Sequence, residues 1–175
     1  VFPILQLRYH PEIAALKETI DREKLYTAGV TYITRRGRWY HRSWKGDALK
    51  SGGIATNLGV HFFDMLTWLF GDVRNVHVHE LGATRGSGLI ELESASADWM
   101  LSTEYVDLPP AVKDDPKGYA YRDLRVNGAK VAEYSHGFTS LHNRVYEEII
   151  AGRGLELEQA RPAIRLCQKI NGAAR

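Results

Sequence analysis

Apolar residues recur at three- and four-residue spacing in four stretches of the chain, and alternate with polar residues through its middle. Ile13, Leu16 and Ile20, following Pro11 at a favoured first-turn position, predict a helix over roughly 11–23. The dense run after Gly52-Gly53 predicts a helix over about 54–70, with Gly71 as its stop. Two more helices, about 140–151 and 158–172, are separated by Gly152 and Gly154. Extended structure is predicted for Val1 to Arg8 and for Thr27 to Arg36, where β-branched and aromatic residues gather. Further strands are predicted over 73–81, 88–94 and 97–105; in the last, Trp99, Leu101 and Thr103 oppose Met100, Ser102 and Glu104. GATRGSG at 82–88 reads as the turn of the first hairpin. Asn127-Gly128, between strands at 119–126 and 129–134, is the strongest hairpin signal in the chain. The stretch 107–117, with three prolines and three aspartates, reads as a surface loop, as does the aromatic stretch RWYHRSWKGD at 38–47.

Consecutive strands with helices at the margins predict an α+β fold: an open mixed or antiparallel sheet with helices packed on one face. The other face then needs a cover, which another subunit of a homo-oligomer would supply. A length of 175 residues suits one domain, and a net charge of +2 with interspersed signs gives no case for nucleic acid. One cysteine, Cys167, excludes an internal disulfide, and its place between Ile164 and Ile170 reads as core. No run reaches the length of a membrane span and no secretory leader is legible, so the expected location is the cytoplasm. The chain opens inside an apolar run without Met and closes inside a predicted helix; the expectation is a piece of a longer protein.

The candidate chemistry lies on the most apolar helix. At about 100° per residue, Asn57, His61 and Asp64 share one stripe that Trp68 continues. Unpaired burial of such groups costs on the order of 1–3 kcal/mol each, so the stripe either finds partners in a core or faces a cavity. An imidazole there can exchange a proton near neutrality, an amide one turn earlier can orient a hydroxyl, and a carboxylate one turn later can hold the ring tautomer or bridge to a neighbouring Arg. The spacing leaves both readings open. In the loop at 38–47, Arg38, Tyr40, Trp44 and Lys45 combine aromatic faces with cations, a mixture suited to an anionic sugar nucleotide or to a subunit contact. His77 and His79 offer two ligands on one strand face, too few for a metal site, and none is predicted. His142 and Tyr146 share a helix face that capping and packing explain equally well.

GGIATNLGVHFFDMLTWLFG resembles the signature GG-x-x-x-(Asp/Asn)-x-Gly-x-His-x-x-Asp-x-x-x-x-Leu-x-Gly of the Gfo/Idh/MocA oxidoreductase family. QLRYHP at 6–11, RWYHRSWKGD, GLIELESASADWMLS at 88–102 and GFTSLHNRVYEEIIAGRG at 137–154 are similar to one subgroup, the UDP-N-acetylglucosaminuronic acid 3-dehydrogenases of bacterial O-antigen synthesis. The resemblance covers nearly the whole chain. It implies the family's C-terminal substrate-binding and oligomerisation domain over 1–175, behind an NAD-binding Rossmann domain outside the chain. It also implies oxidation of the sugar C3 hydroxyl, with His61 as acid/base or orienting group beside a lysine of a Glu-Lys-Pro motif. Neither that motif nor a Gly-x-Gly-x-x-Gly after a strand occurs here, so NAD is expected to bind mainly elsewhere, and this chain alone to be inactive. Asn57 stands where many relatives have Asp, and an amide positions substrate without taking its proton. The alternatives are a non-catalytic assembly module, or another sugar or inositol dehydrogenase of the same superfamily.

Overall fold

Six strands form one sheet in the order β2-β3-β4-β1-β5-β6. They are β1 (Tyr26–Thr34), β2 (Val73–Leu81), β3 (Arg85–Leu92), β4 (Ala95–Ser102), β5 (Ala120–Val126) and β6 (Ala129–Glu133). Only the central β1–β4 pair is parallel, so the sheet is mixed and open. The computed structural model describes residues 1–115, 119–133 and 139–173. Pro116 and Lys117 of the proline-rich loop, Tyr134 at the end of the predicted last strand, and Gly137-Phe138 lie outside the described residues.

The helices are α1 (Pro11–Thr19), α2 (Arg38–Arg42), α3 (Ala48–Ser51), α4 (Val60–Phe70), α5 (Pro110–Lys113), α6 (Thr139–Ile150) and α7 (Leu157–Ala173). α4 lies on one sheet face, with α7 packed against it and against β2. On that face a complete row crosses all six strands: Val78, Gly88, Trp99, Val30, Leu124 and Ala132. Phe62, Phe63, Leu66, Leu69 and Phe70 of α4 fill the space above it, Phe63 meeting Trp99 edge-on at 5.5 Å and Phe62 meeting Tyr32 at 5.2 Å. Asn127 and Gly128 both take positive φ, 51° and 79°, as the predicted tight hairpin requires.

Three predictions are corrected. Val1 to Arg8 forms no strand: Gln6–Tyr9 is a 3-10 turn whose Leu7 is fully buried, and Pro3 lacks the N–H a ladder needs. The first hairpin turns over 82–84, and β3 begins at Arg85, three residues early. Gly86 and Gly88 are strand residues; a Cβ on either would lie about 3.0–3.1 Å from the Trp99 indole. Their lack of side chains makes the slot this ring occupies, and that need reads in sequence as a turn signal. Finally, 38–51 is not an open loop but two short helices and an intervening 3-10 turn, each too short to show a period.

Candidate active site

Two left-handed glycines, Gly52 (φ 74°) and Gly53 (φ 71°), swing the chain from α3 into the apolar helix. That helix does not start as a regular α-helix: Ala55–Gly59 is a π-helical turn running directly into α4. Widened turns of this kind re-aim side chains and recur at functional sites. Gly59, at its end, lets the helix sit close on the sheet, since a Cβ there would lie 2.5 Å from the Phe63 ring and 2.9 Å from Leu101.

The predicted polar stripe divides into three fates. Asp64, with 1% of its side chain exposed, is wholly engaged by Arg8: Nε donates to Oδ2 at 2.9 Å and Nη2 to Oδ1 at 2.6 Å. Burial raises its carboxyl above the ordinary range, with Arg8 drawing it back down. Arg8 also donates to the Gln159 carbonyl at 2.9 Å, and its guanidinium lies 5.7 Å from the Trp68 ring, so the row ends in a structural clamp.

Asn57 turns towards the 38–47 segment. Its Nδ2 donates to Tyr40 Oη at 2.8 Å and to the Lys45 carbonyl at 3.4 Å. A carbonyl only accepts, so the amide orientation is fixed and Oδ1 is left as an acceptor with no partner among the described residues. Tyr40 is buried, its ring 5.6 Å from the Arg36 guanidinium; burial raises its phenol, which stays protonated.

His61 is half-buried, with Nδ1 shut away from solvent and unpartnered among the described residues. Burial and, to a lesser degree, the charge of His142 on α6 lower its pKa to about 4. Near neutrality it is therefore an uncharged imidazole, competent to accept a proton.

Of the other predicted residues, Lys45 is half-buried with its ammonium 5.9 Å from the Trp39 ring and 5.8 Å from the Trp44 ring. Both indoles are 58% exposed. Arg38 is exposed and makes no ion pair among the described residues. The structure thus joins Asn57, Tyr40 and the Lys45 backbone directly, and leaves Trp44, the Lys45 ammonium and Arg38 on an exposed rim. Sequence reading missed Gln6, which is buried with an unpartnered Oε1, on the 3-10 turn that packs against both α4 and α6. It lies in the quoted QLRYHP, but nothing in that string separates a site residue from a packing one. The same holds for Arg8, whose partner stands 56 positions away.

The described residues form no dinucleotide cradle. The glycine pair ahead of the helix spends its N–H groups internally, Gly52 on the Ala48 carbonyl at 2.9 Å and Gly53 on Ser51 Oγ at 3.2 Å. No group of three or more His, Cys, Asp or Glu able to hold a metal occurs among the described residues. Among them, too, no helix is long and apolar enough to cross a membrane. Cys167 is buried against the Ala55 carbonyl at 3.6 Å, and burial pushes its thiol up to about 12, far from a nucleophile.

A family model described as the oxidoreductase family, C-terminal alpha/beta domain, matches residues 17–89. Over 98% of its length the chain is similar, at 44% identity and a TM-score of 0.90, to the WlbA (WbpB) dehydrogenase of Thermus thermophilus solved with NAD and alpha-ketoglutarate. It covers 55% of that protein. A Thermus thermophilus WlbA (WbpB) dehydrogenase solved with NAD and UDP-GlcNAcA gives 43% identity and a TM-score of 0.89, with 98% of this chain and 55% of that one covered. The WlbA dehydrogenase of Bordetella pertussis, solved with NADH and UDP-GlcNAcA, shares the fold at a TM-score of 0.70 and 17% identity, over 100% of this chain and 61% of that one. The chain spans about half the length of the Thermus proteins it matches, 55%.

Proposed function

Since the chain belongs to the Gfo/Idh/MocA oxidoreductases, carrying their C-terminal α/β domain, we propose that it is the substrate half of an NAD-dependent dehydrogenase that oxidises the C3 hydroxyl of UDP-N-acetylglucosaminuronic acid to a ketone. The single observation that carries the reading is the pairing of His61 and Asn57: a neutral imidazole with an unpartnered ring nitrogen, one turn from an amide oxygen with no donor. The Thermus thermophilus WlbA (WbpB) dehydrogenase solved with NAD and UDP-GlcNAcA, at 43% identity, supplies the substrate class.

Asn57 Oδ1 accepts a hydrogen bond from a substrate hydroxyl, its plane fixed by Tyr40 and the Lys45 carbonyl. His61 takes the C3 hydroxyl proton, a task shared with the lysine that the family resemblance places outside this chain. NAD, held mainly by the domain outside this chain, supplies the hydride acceptor when bound. Trp44, Lys45 and Arg38 form a cationic, aromatic rim for the anionic part of the substrate. The same reading makes the isolated 175-residue chain inactive, sets the protein in the cytoplasm, and lays a second copy on the outer sheet face, where Leu89, Met100 and Thr31 point away from α4.

The test is NADH formation by the full-length protein with this UDP-sugar, wild type against His61→Gln. General-base catalysis contributes about 10²- to 10⁴-fold, so kcat falls by that order while substrate affinity changes little. An undiminished kcat sinks the assignment.

A further inference from the structure

Between α7 and the start of β2 lies a groove of about 370 Å³. Its volume falls in the range of about 300–1,000 Å³ usual for small-ligand sites. His61 stands at the N-terminal end of α4, whereas Asp72, which lines the groove, follows the Gly71 stop at the other end, about 16 Å along the helix axis. None of the roles given above uses it.

Arg161, Arg165 and Lys169 recur every four residues on α7 and line the groove as one row. Glu158 neutralises the first of them: its carboxylate accepts from Arg161 Nε at 2.6 Å and from Nη2 at 2.5 Å. Arg165 acts on that carboxyl only as a more distant charge. Arg165 and Lys169 make no ion pair among the described residues, and neither does Asp72, although all three line the same groove and are exposed. Two cations and an acid that share a groove without meeting are held beyond ion-pair reach of one another, and a ligand can span the gap between them. Val73, Pro162 and Leu166 give the groove an apolar wall.

Residues one helical turn apart carry Cβ atoms about 5–6 Å from each other, so Arg165 and Lys169 can close on one phosphate from two sides, the guanidinium offering its fork and the ammonium a point charge. The carboxylate on the β2 side repels a bare anion but accepts hydrogen bonds from hydroxyls. The apolar wall suits the C–H face of a sugar ring. We propose that this groove binds a phosphorylated sugar, with its phosphate on Arg165 and Lys169 and its hydroxyls on Asp72. The site is separate from the one built round His61 and does not depend on the substrate assigned to it. A general anion patch would gain nothing from an acid in its lining; a ligand that carries hydroxyls beside its phosphate uses both charges.

The experiment is calorimetric titration of the full-length protein with glucose 1-phosphate, inorganic phosphate and glucose as probes. It is repeated on the double variant Arg165→Glu/Lys169→Glu and on Asp72→Ala, with thermal unfolding to check that these exposed changes leave the fold intact. Glucose 1-phosphate is expected to bind more tightly than inorganic phosphate, and glucose not to bind. The double variant is expected to weaken glucose 1-phosphate at least tenfold, because a hydrogen bond to a charged group is worth about that factor or more. Asp72→Ala is expected to act with opposite signs: glucose 1-phosphate weakens about fivefold, while inorganic phosphate, relieved of a nearby negative charge, binds as well or better. No binding of glucose 1-phosphate by the wild type, or binding indifferent to the double variant, overturns the site. Equal affinity for glucose 1-phosphate and inorganic phosphate, or an Asp72→Ala change that moves both ligands the same way, overturns the sugar and leaves only a patch of charge.

Discussion

Replacing Arg8 by Met should unfold the site from beneath. The Asp64 carboxylate is closed off from water and has no hydrogen-bond donor other than Arg8 among the described residues. Met keeps the length of the apolar stem and removes both donors. Taking one partner from a buried pair costs about 3–5 kcal/mol, because the remaining charge has neither water nor a counter-ion. For a protein of this size that is a fall in Tm of roughly 10 °C. The loss depends on pH, with a sign that follows from burial. Asp64 is already raised above the ordinary carboxylate range by desolvation, with Arg8 opposing. Without Arg8 it rises further, so the folded state holds a proton at a pH where the unfolded chain, with a carboxyl pKa near 3.9, does not. Wherever the folded state binds more protons, stability grows as pH falls. The deficit of Arg8→Met should therefore be largest at pH 7 and shrink towards pH 5. Pairing it with Asp64→Leu, which removes the stranded charge, should recover most of the loss. Urea unfolding of the full-length protein, followed by tryptophan fluorescence at pH 7 and pH 5, measures all three variants. A loss below about 1 kcal/mol, or one that does not change with pH, refutes the argument that this pair is closed to solvent.

Gly88→Ala should cost about 2–3 kcal/mol, since the added methyl would overlap the His77 carbonyl of the neighbouring strand and press on Trp99, where Gly128→Ala meets nothing but an unfavourable φ; urea unfolding that ranks the two the other way counts against the slot. His61 supplies an acid-lability test. Its folded pKa of about 4 lies below the unfolded value of 6.5, so its contribution is complete above pH 6.5 and disappears as pH falls towards 4, roughly 2–3 kcal/mol over that interval. The stability of wild type relative to His61→Gln should decline by that amount between pH 7 and pH 4, and an unchanged difference means that the imidazole is hydrated.

What the sequence made legible follows the range of the interactions. Asn127-Gly128 dictates its hairpin locally, and the period of the run from Leu58 to Phe70 identifies the helix whatever it packs on. The glycines before β4 show where local reading fails. Gly86 and Gly88 carry turn propensity, but they are strand residues because Trp99, more than ten positions later, needs their empty space. The first eight residues fail for the same reason: Leu5 and Leu7 are apolar because they are buried, and burial alone does not make a strand without a neighbour to pair with.

The polar stripe carries the distinction into the site. Spacing alone put Asn57, His61 and Asp64 on one face, yet it gave the three equal standing. What separates them is who answers: Asp64 is met by an arginine 56 residues away, Asn57 by a tyrosine 17 residues away, and the His61 Nδ1 by no described residue. A core can satisfy a carboxylate or an amide with such partners, and it did so twice. It would have little reason to keep a third polar group on the same helix with its Nδ1 closed to solvent and met by no described residue, because an unpaired buried ring nitrogen costs stability that a Leu or Phe at position 61 would return. A group retained at that cost, one helical turn after an amide oxygen that no described residue answers either, is what the proposed substrate hydroxyl accounts for.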